Sequence, residues 1–154
     1  MIFDQTFGNN SSISLMNTNM IQNGSNKDAN VTGLFARINN NSNTQAYVGK
    51  IHMSQEFEQN NITQGFSGML ATGKMSGKYR YDLWTSFEDD KYNPNDLGFL
   101  YANNEINSGL NISYTQLKEN KRFISSSLSS TISYETLFTE QKFVNLNLDL
   151  GGRV

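Results

Sequence analysis

Apolar and polar residues alternate with a period of two along most of this chain. The alternation is strictest after the Ser76-Gly77 dipeptide, where one side carries Tyr79, Tyr81, Leu83, Thr85 and Phe87. The opposite side carries Lys78, Arg80, Asp82, Ser86 and Glu88, with Trp84 as its one large apolar residue. Because successive side chains of a β-strand point to opposite faces, this pattern predicts a strand with one apolar and one polar face.

The same alternation predicts further strands over 31–38, 46–54, 62–73, 106–116, 123–138 and 144–150. Short polar links such as 39–43 separate them, and links of this length join neighbouring antiparallel strands. The sequence therefore predicts an all-β fold, an antiparallel meander of seven or eight strands. We expect a single unit over 1–154, with residues 1–30 less regular than the rest.

Alternation leaves two architectures open. In a soluble β-sandwich the apolar faces of two sheets meet, whereas in an outer-membrane β-barrel they face lipid and the polar faces line the interior. Several strands approach the length of about 10 residues that spans an outer membrane, and their polar sides are rich in Asn, Ser and Gln. Aromatic residues near strand ends also favour the barrel, namely Phe87, Tyr114, Phe138 and Phe143. Ser126 and Ser130 on the presumed lipid side argue against it.

The composition narrows the classes of partner. The chain of 154 residues carries 12 Lys and Arg against 14 Asp and Glu, a net charge of −2, which gives no basic surface for nucleic acid. Its 22 Asn and 17 Ser suit turns and wet strand faces better than long helices. Cysteine is absent, which excludes disulfides and thiolate metal sites.

The sequence also bears on export. No basic start followed by an apolar stretch opens the chain, and no run is long enough for a membrane-spanning helix. An exported protein needs a signal, so either this protein is not exported or the chain is an internal fragment of a longer protein, and we expect the fragment.

Candidate chemistry is sparse. His52, the only histidine, lies beside Lys50 on a polar strand side and has no nucleophile or metal-ligand spacing around it. The acidic residues after the 78–88 strand do not follow calcium-loop spacing, because counting from Asp90 puts Asn95 sixth and Tyr101 twelfth. We therefore expect no catalytic, cofactor or metal residues in this segment.

Two alternative functions can be assigned to specific residues of this sequence. A soluble carbohydrate-binding module would use Trp84, Tyr79 and Tyr81 to stack against sugars. A glycoside-acting hydrolase would use Glu88 or Asp90, with Asp82 or Asp96 as the second carboxylate. Two acids without a cleft are weak support for the hydrolase.

The segment 91–105, KYNPNDLGFLYANNE, holds the only proline of the chain. Pro94 presets one turn residue, and Asn93 and Asp96 can bond to their own backbone, so we interpret the segment as a bend between strands. We expect Leu97, Phe99, Leu100 and Tyr101 to anchor it by packing.

The phrase formed by Asn93, Pro94, Asn95, Asp96, Leu97, Gly98 and Phe99, with the strands around it and Asp28–Thr32 upstream, resembles the DUF5916 family of Bacteroidetes. The resemblance implies the C-terminal β-barrel region of large envelope proteins whose N-terminal domain is similar to carbohydrate-binding module family 9. It implies outer-membrane lipid as a partner, glycan only through the upstream domain, and location in the Gram-negative outer membrane. It supplies no catalytic residues.

Overall fold

A computed structural model describes residues 1–8, 10–21, 27–58, 61–116 and 125–153. These residues form nine β-strands in one sheet, each paired antiparallel with its neighbour in sequence. The strands are β1 (Ile2–Phe7), β2 (Ser11–Met20), β3 (Lys27–Asn39), β4 (Gln45–Glu58), β5 (Asn61–Lys74), β6 (Tyr79–Glu88), β7 (Glu105–Gln116), β8 (Ser126–Leu137) and β9 (Phe143–Arg153). The predicted antiparallel meander is confirmed.

The strand count exceeds the seven or eight that the alternation predicts. Two strands, β1 and β2, lie in the region where the sequence pattern is least regular. The other seven coincide with the predicted strands, although most extend further at one or both ends. Positions 123 and 124 of the predicted 123–138 strand lie outside the described residues.

Cross-strand register keeps most apolar positions of β4 to β9 on one side. One row of direct partners runs from Tyr47 on β4 through Thr72, Leu83, Leu110 and Ile132 to Leu148 on β9. We call this side the apolar face. The opposite side, the polar face, contains the row His52, Ser67, Glu88 and Glu105, in which each residue is the direct partner of the next. A slip of one residue in any pair would move an entire apolar set to the other face.

The apolar face is the more exposed of the two. Leu70 is 67% exposed and Leu148 65%, whereas Ser54 and Ser67 on the polar face are 2% and 6% exposed. Within the described ranges, strands contact only their neighbours in sequence, so no second layer covers the apolar face. The few buried apolar side chains, Ala29, Ala46 and Tyr92, form no continuous core.

Aromatic and imidazole rings lie over glycines on neighbouring strands. A Cβ atom on Gly109 would lie 2.1 Å from Cζ2 of Trp84, and one on Gly33 would lie 2.5 Å from Cδ2 of His52. Both rings lie on the polar face and cover the backbone there. Phe87 covers Gly68 in the same way on the apolar face. These glycines leave room for a ring, as in the aromatic rescue of strand glycines.

We predict that Gly109→Ala lowers the free energy of unfolding by about 1–3 kcal/mol, because the new methyl group must displace the Trp84 ring. Urea unfolding followed by tryptophan fluorescence measures this directly, since Trp84 is the only tryptophan. Gly49→Ala is the matched control, because its Cβ would meet Leu70 at 3.5 Å, an ordinary contact. Equal effects of the two substitutions would contradict the prediction.

Candidate functional site

Two features of the sheet could carry function: the exposed apolar face and the long β6–β7 loop, residues 89–104. We call the end of the sheet that holds this loop the loop end. The opposite end, which holds the β3–β4 and β5–β6 turns, we call the turn end.

Aromatic residues concentrate toward both ends of the apolar face. Tyr47, Tyr79, Tyr81 and Tyr114 lie toward the turn end, and the rings of Tyr79 and Tyr114 are 4.8 Å apart. Toward the loop end the rings of Phe87 and Phe138 stack at 5.6 Å, and those of Tyr134 and Phe143 approach to 5.7 Å. Aliphatic residues such as Leu83, Leu110 and Ile132 fill the band between them.

The apolar band can be measured along β6. The eight residue steps from Tyr79 to Phe87 span about 26 Å. Two polar residues, Thr85 and Ser108, interrupt this apolar band. Their hydroxyl groups hydrogen-bond to each other at 2.8 Å, so neither hydroxyl is left unpaired.

The β6–β7 loop folds back over the polar face and contacts residues of β3, β4 and β5. The amide of Asn93 donates to Oγ of Ser54 at 2.9 Å, and its side-chain Nδ2 donates to Oε1 of Glu56 at 2.7 Å. Tyr92 is only 7% exposed. Ser54 and Glu56 share the polar face of β4, so the loop rests on the sheet instead of projecting away from it.

Gly65 is the position where the loop backbone touches the sheet. A Cβ atom at Gly65 would lie 2.1 Å from the amide nitrogen of Tyr92 and 2.2 Å from the carbonyl carbon of Lys91. No side chain fits there while the loop remains in place. Glycine inside a strand often marks such a close approach of another backbone.

Ion pairs add a third attachment. Nζ of Lys27 on β3 lies 2.8 Å from Oδ2 of Asp96 in the loop and 3.2 Å from Oε1 of Glu56 on β4. The hydrogen bonds to Asp96 and then to Glu56 raise the pKa of the Lys27 ammonium above its ordinary value. These side chains are partly exposed, so the pairs contribute modestly and hold the loop less strongly than burial of Tyr92 does.

The internal geometry of the loop confirms the predicted bend at Asn93 and Pro94. Oδ1 of Asn93 accepts from the amide of Asn95 at 3.1 Å, and the carbonyl of Pro94 accepts from the amide of Leu97 at 2.8 Å. Asp89 begins the loop by accepting from the amides of Phe66 at 2.9 Å and Lys91 at 3.0 Å.

Two details of the loop differ from expectation. Phe99 is 86% exposed and Tyr101 94% exposed, so these two rings do not anchor the loop, and the prediction that they do is wrong. Tyr92 takes that role, because its side chain is buried and its backbone lies against Gly65 on β5. The carboxylate of Asp96 pairs with Lys27 on another strand. Neither contact has a local sequence signal, since both join residues far apart in the chain.

A polar cavity of ≈ 450 Å³ remains between the loop and the strands. Carboxylates line it through Glu56 and Asp90, and amides through Asn93, Asn95 and Asn103. Its size is that of a small-molecule site, but the amides already have partners: Asn95 and Asn103 bond within the loop, and Asn93 donates to Glu56 on β4.

The acidic residues at the loop end do not form a catalytic pair. Oε1 of Glu88 accepts from Oγ of Ser67 at 3.3 Å, and Glu88 lies directly opposite Glu105. Asp90 is exposed in the loop, and Asp82 lies beside Gly73 toward the turn end. Six residue steps along β6, about 20 Å, lie between Asp82 and Glu88, so these two acids do not form the pair that the hydrolase hypothesis requires.

His52 and Ser67 are direct cross-strand partners, which invites comparison with a nucleophile and its base. A catalytic base must bond the nucleophile and an acid must orient the base. Here the acid Glu88 bonds the serine, and in the described part of the chain no hydrogen bond joins His52 to Ser67. The His52 ring instead lies over Gly33 on β3.

Trp84 cannot form one stacking platform with Tyr79 and Tyr81. The register places Trp84 on the polar face and both tyrosines on the apolar face. Trp84 is half-buried over Gly109, which leaves less of its ring free for a sugar.

The described residues contain no group of three or more His, Asp or Glu side chains arranged to hold a metal ion. Within the same ranges, no helix is long and apolar enough to span a membrane.

We predict that Tyr92→Ala loosens the β6–β7 loop, because the side chain that is buried against the sheet is lost. Limited proteolysis within residues 89–104 should become several times faster. Tyr92→Phe, which keeps the ring, is the control and should be cleaved at the wild-type rate. Equal cleavage of the two variants would show that burial of the ring does not hold the loop.

Comparison with known proteins gives one match. No curated protein and no solved structure is similar to the chain. A family model described as a domain of unknown function, DUF5916, matches residues 1–154. The expected resemblance is thereby confirmed at the level of the family, and the chain belongs to the DUF5916 family.

Proposed function

We propose that this chain is a segment of an outer-membrane β-barrel in a Gram-negative cell. Its apolar face would contact lipid, and its polar face would line the barrel interior. The observation that carries the proposal is the exposed apolar face of a nine-stranded sheet, which no second layer covers within the described residues.

The extent of this face supports lipid as the partner. It includes Leu70, Leu83, Leu128, Leu146 and Leu150, which are 49–75% exposed on four different strands. Soluble monomers rarely expose apolar patches larger than roughly a few hundred Å². A bilayer removes this surface from water without any further protein layer, and the aromatic residues at both ends match the two interfaces.

The polar face supports the same orientation. It carries charged and amide side chains such as Lys50, Asp82, Asn107 and Asn147. Transfer of these groups into hydrocarbon would cost free energy, whereas a water-filled barrel interior would keep them hydrated. Strands β1 and β9 are the edges of the sheet. Unpaired edges are disfavoured in lipid, so in the proposed barrel they pair with further strands or with each other.

We propose no catalytic step for this segment. The acids and His52 are arranged as structural neighbours, as the contacts of Glu88 and Ser67 illustrate. A link to glycan, through a domain upstream of this chain, stays a prediction. A soluble carbohydrate-binding module finds less support, because Trp84 covers Gly109 and its candidate partners lie on the opposite face.

Arginine substitution on adjacent residues of β9 tests the proposal. Leu148 is 65% exposed on the apolar face, and Asn147 is exposed on the polar face. In water both Leu148→Arg and Asn147→Arg should be close to neutral, as is usual for exposed sites. In lipid only Leu148→Arg should be costly, by about 2–4 kcal/mol near the bilayer centre.

The measurement is folding of the full-length protein into lipid vesicles, followed by urea titration. We expect Leu148→Arg to fold with a much lower yield or midpoint than Asn147→Arg. Equal behaviour of the two variants, or a monomeric protein that folds in water without detergent, would refute the membrane assignment.

A further inference from the structure

The docked β6–β7 loop, residues 89–104, has no explanation in the requirements of the sheet alone. A connection between neighbouring antiparallel strands needs only two to five residues. This loop has sixteen residues between Glu88 and Glu105, and beyond the end of β6 it lies against the polar face of the longer strands β3, β4 and β5. We propose that it is a built-in constriction, which narrows the barrel interior at the loop end and limits passage to small polar solutes.

This inference rests on the proposed function, because the polar face encloses a passage only if the sheet forms part of a barrel. It goes beyond that function by assigning transport of solutes to the interior and a size-limiting role to one segment. The docking of the loop, by contrast, is a feature of the sheet whether or not a barrel closes.

The first support is the close approach at Gly65. The loop backbone at Lys91 and Tyr92 lies very close to the backbone of β5. A Cβ atom at Gly65 would lie within 2.3 Å of three backbone atoms of these two loop residues. The polar face of β5 thus provides a place without a side chain where the loop crosses it. This backbone contact fixes the distance between the loop and the sheet. A flexible surface loop would not require such a contact.

The second support is the set of attachments on neighbouring strands. Asn93 bonds Ser54 and Glu56 on β4, and Asp96 pairs with Lys27 on β3. The loop therefore runs laterally from β6 across β5 and β4 to β3. In a closed barrel, a segment that runs across the inner face of several adjacent strands necessarily occupies cross-section.

The third support is at the other side of the loop. Asn104, which adopts a φ of 63°, accepts from the amide and hydroxyl of Thr139 at 2.9 and 2.7 Å. The amide of Phe138 also donates to the carbonyl of Asn104 at 3.0 Å. The β8–β9 turn is thus tied to the returning end of the loop. Both ends of the loop are held, and the segment between them is docked.

The groups that the loop presents indicate the class of solute. The space between loop and strands, ≈ 450 Å³, is lined by amides and by the carboxylates of Glu56 and Asp90. These groups exchange hydrogen bonds with water and with small hydrophilic molecules. Tyr101 and Phe99 at the exposed side add bulk to the loop. Small polar solutes would pass beside the loop, and large ones would be blocked.

The test uses Gly65→Val to push the loop off the sheet in the full-length protein. Gly49→Ala is the matched control, since Gly49 lies on the apolar face of β4 and its Cβ would make an ordinary contact at 3.5 Å. These 154 residues contain no cysteine, so once any cysteine elsewhere in the full-length protein is replaced, Ser54→Cys provides a single thiol under the loop, where Ser54 is 2% exposed. Tyr101→Cys, at a position that is 94% exposed, provides the reference for full reactivity.

Two measurements are made on protein folded into lipid vesicles: the rate of thiol labelling by a charged reagent, and the efflux of neutral oligosaccharides of increasing size. We expect Gly65→Val to speed labelling of Ser54→Cys several-fold and to let larger oligosaccharides escape. Gly49→Ala should change neither, and labelling of Tyr101→Cys should be fast throughout.

Each outcome decides between the two hypotheses. Faster labelling of Ser54→Cys without any change in the size limit overturns the constriction while leaving the barrel intact. Unchanged labelling in Gly65→Val overturns the docking on which the constriction depends. A protein that stays outside the vesicles overturns the proposed function, and the constriction with it.

Discussion

The cross-strand register is the constraint on which the rest of this structure depends. Side chains of a strand alternate between faces, so eight successive strand pairings must all be in phase to produce one apolar and one polar face. The row from Tyr47 to Leu148 shows this for the five pairings between β4 and β9. The same phase brings Ser54, Glu56 and Gly65 to the polar face, where the β6–β7 loop meets them.

A single-layered β-sheet with no second layer packed against it cannot bury its own apolar side chains. Its described strands contact only their sequence neighbours, and its leucines remain exposed. The hydrophobic contribution to stability must therefore come from the surroundings, since apolar area left in water contributes nothing. A lipid environment supplies it, which links the absence of a core to the membrane assignment proposed here.

The polar face is crowded in a different way. Glycines on β3, β5 and β7 lie beneath His52, the loop backbone and Trp84 respectively, so each missing side chain is replaced by a group from elsewhere. Packing on this face is thus achieved with rings, hydrogen bonds and backbone instead of aliphatic side chains. The loop is the largest of these groups, and Tyr92 is the only buried aromatic side chain among the residues that the structure describes.

The sequence by itself determined the all-β class, the faces of the strands and the bend at Pro94, because all three follow from local period and turn chemistry. It indicated β1 and β2 only weakly, since stretches such as SSISLMNTNM carry polar residues on both sides. Only the tertiary structure decided where the loop goes. Lys27, Ser54, Gly65 and Asp96 are far apart in the chain and become neighbours only once β3, β4 and β5 pair in register. No local pattern records a contact of that kind, so Gly65 is visible as a docking position only in the folded sheet.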